Sequence, residues 1–181
     1  MQFSSDAVVR HPPEPLYRLC RERLTEAVHG VANVDFIEET ARVDRPGRSE
    51  ITNVWHGRGF IPKIAREVVA PDMLVCDVFV TWLDAELRCT FDVATHALTE
   101  CVKSSGEILF RPLSRGRTRL TMQGDFTLDV TSVSAVPRRW RRIVERQAER
   151  FLIATLPRNV RGVARRLERA LARTEVEPMA G

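Results

Sequence analysis

RCTFDVATHALTECVKSSGEILFRPL, residues 88–113, followed by GRTRLTMQGDFTL, residues 116–128, decides the fold of this chain. Side chains alternate between apolar and polar through both stretches, the period-two pattern of strands with two different faces. ATHA interrupts the first stretch as a turn, and Ser114-Arg115-Gly116 is short enough to close an antiparallel hairpin. The expected strands are therefore Glu86–Ala94, Leu98–Arg111 and Arg117–Asp129, with Leu74–Leu83 joined to the first of them through Asp84-Ala85.

Toward the N-terminus the pattern repeats. Val34, Phe36 and the residues through Val43 form one strand, Pro46-Gly47 a turn, and Ile51, Asn53 and Trp55 the next. FIPKIAREVV, residues 60–69, reads as a short helix or ordered excursion between strands. Phe3–Val9 is a first strand stopped by His11, Pro12 and Pro13. A helix then starts at Glu14, with Leu16, Leu19, Cys20, Leu24, Ala27 and Val28 on one stripe and Gly30 at its end. Toward the C-terminus a long helix is expected from Ser134–Pro137. Its stripe is Trp140, Val144, Ala148, Phe151 and Thr155, with a kink or interruption at Pro157. A second amphipathic piece carries Val160, Val163, Ala164, Leu167 and Leu171, and the final residues TEVEPMAG are expected to fray. The order is strand, helix, six strands in a meander, and helix.

A length of 181 residues suits one domain that needs no metal or disulfide to hold it. The start MQFSSDAVVR lacks a secretory pattern and no apolar run reaches membrane-spanning length, so a soluble cytoplasmic chain is expected. Cys20, Cys76, Cys89 and Cys101 are dispersed, which favours reduced, mostly buried thiols. Charge is distributed unevenly. Residues 137–173 hold twelve arginines and three glutamates, whereas the whole chain is only +4. A neutral to acidic body with one basic end indicates a local dock rather than a polyanion track over the whole surface.

The element order, with HPPEPLYRL, WHGRGFIPKI and the two strand stretches quoted above, resembles the START/Bet v 1-like superfamily, the polyketide cyclase/dehydrase and lipid transport proteins. The resemblance covers about residues 2–156 and points to a small stand-alone bacterial member. It implies an α+β helix-grip fold in which a curved seven-stranded antiparallel sheet wraps a long C-terminal helix around an internal apolar cavity. The domain would span 1–156, with an arginine-rich helical extension at 157–174 and a tail at 175–181. The gripping helix would be about 135–156, and Trp140, Val144, Gln147 and Phe151 would line the cavity with inward strand residues. The piece after Pro157 departs from the simplest family pattern: it would extend the helix, fold over the sheet or leave the body. A binding or transport role for a lipid, polyketide or similar ligand follows, with a cyclase/aromatase-like enzyme or an interaction module as alternatives.

The residues alone supply no reaction. Gly-x-Ser-x-Gly, a phosphate-binding loop, a dinucleotide-binding glycine series and HExxH are all absent, and no metal or cofactor is expected. Tyr17 is the single tyrosine and falls on the first helix, which argues against a phenol-rich cyclisation site. His56 and Glu107 are the tentative catalytic candidates: His56 as a proton shuttle or ligand contact at a cavity mouth, Glu107 as a general acid if it turns inward. Arg88 would recognise an anionic head group on the same condition, and Trp55, Phe79 and Phe91 complete the ligand candidates. Parity alone does not say which face is inside, and Glu107 opposite an arginine on the solvent face is the simpler reading. His96 is read as an exposed turn residue.

For the basic end, a solvated helix face is the plainest explanation. Docking of Arg139, Arg142, Arg146, Arg150, Arg158, Arg161 and Arg165 on an anionic membrane comes second. Nucleic acid ranks below both, because few aromatics lie among the arginines. Apolar residues on both parities of Leu74–Leu83 leave room for a second cover, including a homodimer contact.

Overall fold

The computed structural model describes residues 1–25, 34–57, 75–97, 99–131 and 137–176, without side chains for 174–176. Seven antiparallel strands form one sheet: β1 (Gln2–Val9), β2 (Val34–Arg45), β3 (Arg48–Gly57), β4 (Val75–Leu83), β5 (Arg88–Thr95), β6 (Val102–Leu113) and β7 (Arg117–Leu128). Their spatial order is β1-β7-β6-β5-β4-β3-β2, a meander whose first strand closes against its last. Helix α1 (Pro13–Glu22) follows β1, and helix α2 (Arg138–Val176) ends the described chain. The expected excursion at 60–69, the helix end at Gly30, the cap at Ser134 and most of the tail lie outside the described residues.

Local chemistry explains the turns. Pro46 and Gly47 join Arg45 to its partner Arg48, with Gly47 at φ +75°, a conformation that costs a side-chain-bearing residue more. Asp84–Glu86 forms a single 3-10 turn between β4 and β5, longer than the two-residue connection expected there. Helix α1 is interrupted at Arg23, whose N–H donates to the Leu19 carbonyl at 2.8 Å, Leu24 and Thr25 are again helical, and the remainder of the expected stripe lies outside the described residues.

Alternation and register divide the sheet into two faces. Phe3, Ser5, Ala7 and Val9 of β1 are buried. Their cross-strand neighbours carry the same face through Leu120, Phe110, Phe91, Cys89, Val80, Trp82, Val78, Ile51 and Asn53. Both helices pack on this face. Tyr17 of α1 meets Trp82 and Phe110 edge-on, each with centroids 5.4 Å apart. Its hydroxyl donates to Asp84 Oδ1 at 2.9 Å, and Arg21 Nη1 donates to the same atom at 2.8 Å, which ties α1 to the β4–β5 turn.

Helix α2 departs from expectation in a way that matters for the site. It runs past Pro157 as one element, so of the three paths expected for the piece after Pro157 the helix is extended, and the 156/157 boundary falls inside that element. The buried helix residues are Leu156, Val160, Ala164 and Leu167, spaced at four, four and three. The gripping portion therefore lies largely after Pro157, not at about 135–156. A proline inside a helix costs roughly 3 kcal/mol, and burying several aliphatic side chains at about 1.5–3 kcal/mol each outweighs that. Among the described residues no helix is long and apolar enough to cross a membrane.

Candidate functional site

The helix-covered face has a packed end and an open end. Tyr17, Trp82, Phe110, Leu16 and Leu167 fill the packed end, each at most 2 % exposed. Across the middle of the sheet, Gly106 pairs with Gly124, flanked by Phe91 and Phe3. A Cβ on Gly106 would meet the Gln123 carbonyl oxygen and lie 2.7 Å from Phe91 Cζ; one on Gly124 would meet the Ser105 carbonyl oxygen and lie 3.0 Å from Phe3 Cζ. Two bare backbones under two phenyl rings let adjacent strands approach where the sheet bends.

Beyond this row lie Asn53, Val78, Val93 and Phe126, then Trp55, Cys76 and Thr95. Trp55, Cys76, Val93 and Phe126 are only half-buried, and so are Leu152 and Val163 of α2, which pack against the same core. They make an apolar, partly open surface. Through β1 and β3–β7 the helix-covered face carries no carboxylate, histidine, lysine or arginine among the described residues; its only ionisable groups are Cys76 and Cys89. Burial pushes the Cys76 thiol up to about 11, with nearby Asp77 adding to the shift, and holds Cys89 well above its ordinary range.

Register sends four of the expected ligand contacts to the other face. His56 pairs with Val75, Phe79 with Thr52 and Asp92, Arg88 with Leu83 and Leu109, and Glu107 with Thr90 and Gln123, all one residue out of step with the helix-covered rows. Because strand parity is two, none of them can turn inward without reversing its strand's core set. His56 stacks on Phe36 with centroids 3.8 Å apart. Glu107 accepts from Arg88 Nη1 at 3.1 Å and from Gln123 Nε2 at 2.8 Å, while Arg88 Nε lies 2.6 Å from Glu86. A carboxylate held this way serves the outer surface. Beside it an open depression of about 680 Å³ is lined by polar groups including Gln2, Thr90, Asp92, Glu107, Gln123 and Asp125. His96 is exposed and its Nε2 lies 3.0 Å from Asp77 Oδ1.

Of the other expected contacts, Trp55 and Phe91 are on the helix-covered face, with Phe91 7 % exposed. On α2, Trp140 and Val144 are half-buried, whereas Gln147 and Phe151 are exposed. The stripe through Phe151 is therefore not the gripping stripe. Arg139, Arg142, Arg146, Arg150, Arg158, Arg161 and Arg165 are all exposed. Exposed Ile143 and Ile153 lie among them, and Arg139 lies 5.7 Å from the Trp140 ring centroid. Asn53, Cys76, Val93, Thr95 and Phe126 were not among the expected contacts. Their signal was parity shared with Trp55 and Phe91, readable once one inward residue is known.

No protein-family model and no curated protein sequence matches the chain. Solved structures do. A protein from Thermus thermophilus is 16% identical, covering 94% of this chain and 99% of its own, with a TM-score of 0.66. The Zhui aromatase/cyclase from Streptomyces sp. R1128 is 14% identical, covering 94% and 95%, with a TM-score of 0.63. A START superfamily protein from Mycobacterium smegmatis is 15% identical, covering 92% and 98%, with a TM-score of 0.52. At these identities the likeness speaks for architecture. Together with a seven-stranded antiparallel meander gripping one long C-terminal helix, it shows that this chain has the START/Bet v 1-like helix-grip fold.

Proposed function

We propose that the protein binds a small hydrophobic or amphipathic ligand, a lipid, polyketide or similar compound, between the open end of the sheet and α2, without turning it over. The observation that carries this reading is the half-buried apolar surface of Trp55, Cys76, Val93 and Phe126, with Leu152 and Val163 of α2 packed against the same core and Val163 sharing a cluster with Trp55 around Val34. Such a surface is stabilised by an apolar occupant. Cyclisation or aromatisation calls for a positioned acid or base. Among the described residues β1 and β3–β7 offer this face thiols alone, the carboxylates that β2 adds, Glu39 and Asp44, are both paired with Arg42, and His56 and Glu107 are committed to the outer surface. Binding is therefore the better supported of the two roles. Native mass spectrometry of the purified protein, followed by denaturing extraction, tests it: a stoichiometric apolar compound is expected. Undiminished retention of that compound by a folded Trp55→Glu, Val93→Glu variant would place it elsewhere and refute the reading.

A second observation favours peripheral docking on an anionic membrane. The portion of α2 before Pro157 combines exposed Ile143, Phe151 and Ile153 with Arg139, Arg142, Arg146 and Arg150. Apolar side chains among guanidiniums suit an anionic bilayer surface better than bulk water. Flotation with phosphatidylserine vesicles but not phosphatidylcholine vesicles, lost at high salt, is expected. Equal flotation with both would defeat it, and self-association through this surface would instead appear as a concentration-dependent mass.

A further inference from the structure

Three polar atoms on the open end of the helix-covered face are buried without a hydrogen-bond partner: Asn53 Nδ2, Trp55 Nε1 and Thr95 Oγ1. They share one patch. Trp55 pairs with Cys76 and Cys76 with Thr95, while Asn53 pairs with Val78 one step along the same face. Asn53 is 2 % exposed, yet its neighbours Trp55, Cys76 and Thr95 stay half-buried, so the patch lies where the packed core gives way. An unmade hydrogen bond on a buried donor is expensive, and three together form a set, since the nearest carboxylate across β2, Glu39 opposite Asn53, is paired with Arg42. An amide N–H, an indole N–H and a hydroxyl can all donate.

We infer that Asn53, Trp55 and Thr95 form a polar anchor that selects, among apolar ligands, those bearing hydrogen-bond-accepting oxygens on a flat ring system or chain. The inference rests on the binding role proposed above and names the chemistry of the occupant. Strand geometry sets its size. Residues two apart along a strand are separated by about 7 Å and strands two apart by roughly 10 Å, so a single oxygen cannot satisfy the set. Carbonyl or phenolic oxygens spread over about two fused rings can. A pure hydrocarbon chain leaves all three donors unpaired.

The probes are the diacetyl and di-isopropyl derivatives of naphthalene, substituted at opposite ends of the ring pair: closely matched in shape, one with two carbonyl acceptors and one with none. Hydrophobicity alone favours the di-isopropyl compound, so relative affinity for the diketone reports the donors. Asn53→Leu and Thr95→Val are each expected to shift the ratio of the two dissociation constants about tenfold against the diketone. Both variants are also expected to raise the melting temperature of the ligand-free protein, because each removes an unpaired buried polar group. A merely structural role would lower it. An unchanged ratio with both compounds bound overturns the anchor while the binding role survives. Failure of wild type to bind either compound overturns both. Should Asn53→Leu not fold, the half-buried Thr95→Val decides the question alone.

Discussion

Replacing Gly124 by alanine tests whether the glycine pair bends the sheet. The added Cβ would meet the Ser105 carbonyl oxygen and lie 2.7 Å from Gly106 Cα. Both obstacles are backbone atoms in a paired strand, so neither can rotate away as a side-chain tip would. Overpacking of this kind costs about 1–3 kcal/mol, and the rigidity of the obstacles places the change at the upper end. Reduced freedom of the unfolded chain returns about 0.4–1 kcal/mol, which leaves roughly 2 kcal/mol of destabilisation. Gly162→Ala supplies the control, since its added Cβ meets nothing within 4 Å and the position is inside α2. There alanine should stabilise by about 0.5–1 kcal/mol through helix propensity. Urea unfolding followed by circular dichroism reads both. The two substitutions should move the midpoint in opposite directions with unchanged slope. A Gly124→Ala midpoint equal to or above wild type would refute the argument that strand approach at this row requires two bare backbones.

Three other outcomes follow from the packing and the titrating groups. Leu167→Ala, at a side chain 1 % exposed, should cost about 2–5 kcal/mol, while Phe151→Ala, at 39 % exposed, should stay within about 0.5 kcal/mol; thermal melts giving equal losses would contradict the assignment of the grip to the part of α2 after Pro157. Burial, and then the hydrogen bond to Asp84, raise the Tyr17 phenol above its ordinary 10.0. The folded state thus holds a proton that the unfolded chain releases, so this contribution is complete below pH 10 and lost as pH rises through the folded value. Tyr17→Phe should lower stability at pH 8 by about 1.5 kcal/mol for a bond to a charged acceptor and flatten the decline above pH 10; an equal decline in both proteins would refute this. Cys76, raised to about 11, should alkylate slowly at pH 8 and accelerate toward pH 11, whereas Cys20, raised to about 12 and fully buried, should react only on unfolding; fast Cys76 labelling at pH 8 in peptide maps would exclude the desolvated environment.

The strands were legible because a half-buried strand writes its period into the chain. Thr118 through Leu120 and Cys89 through Phe91 alternate as the paired sheet requires, and two-residue turns such as Pro46-Gly47 carry their own chemistry. Which parity faced the helices was not legible: β4 carries Val78, Val80 and Trp82 on one face and Phe79 on the other, and only the pairing with β3 and β5 separates them. That ambiguity kept Arg88, Phe79, His56 and, against the simpler solvent-face reading, Glu107 among the site candidates, and the pairing puts all four on the outer surface. The helix was misread for a related reason. Trp140, Val144 and Phe151 form as good an apolar stripe as Leu156, Val160 and Leu167, and the resemblance put the gripping helix at about 135–156.

Arginine density cannot separate the two stripes, because guanidiniums accompany both, and a proline between them suggests an end where the helix in fact continues. What separates them is tertiary. Leu156, Val160, Ala164 and Leu167 share one core with buried residues of α1 and β1, and Glu168 Oε1 accepts the Arg10 backbone N–H at 3.1 Å, which fixes that part of the helix beside the end of β1. The same placement leaves the earlier turns with Ile143, Phe151 and Ile153 in solvent. It also sets Leu152 and Val163 against the core that includes Trp55, Val93 and Phe126. One helix thus closes the packed end of the sheet with its later turns and presents arginines and apolar side chains with its earlier ones. The binding surface proposed here adjoins the place where one role passes into the other.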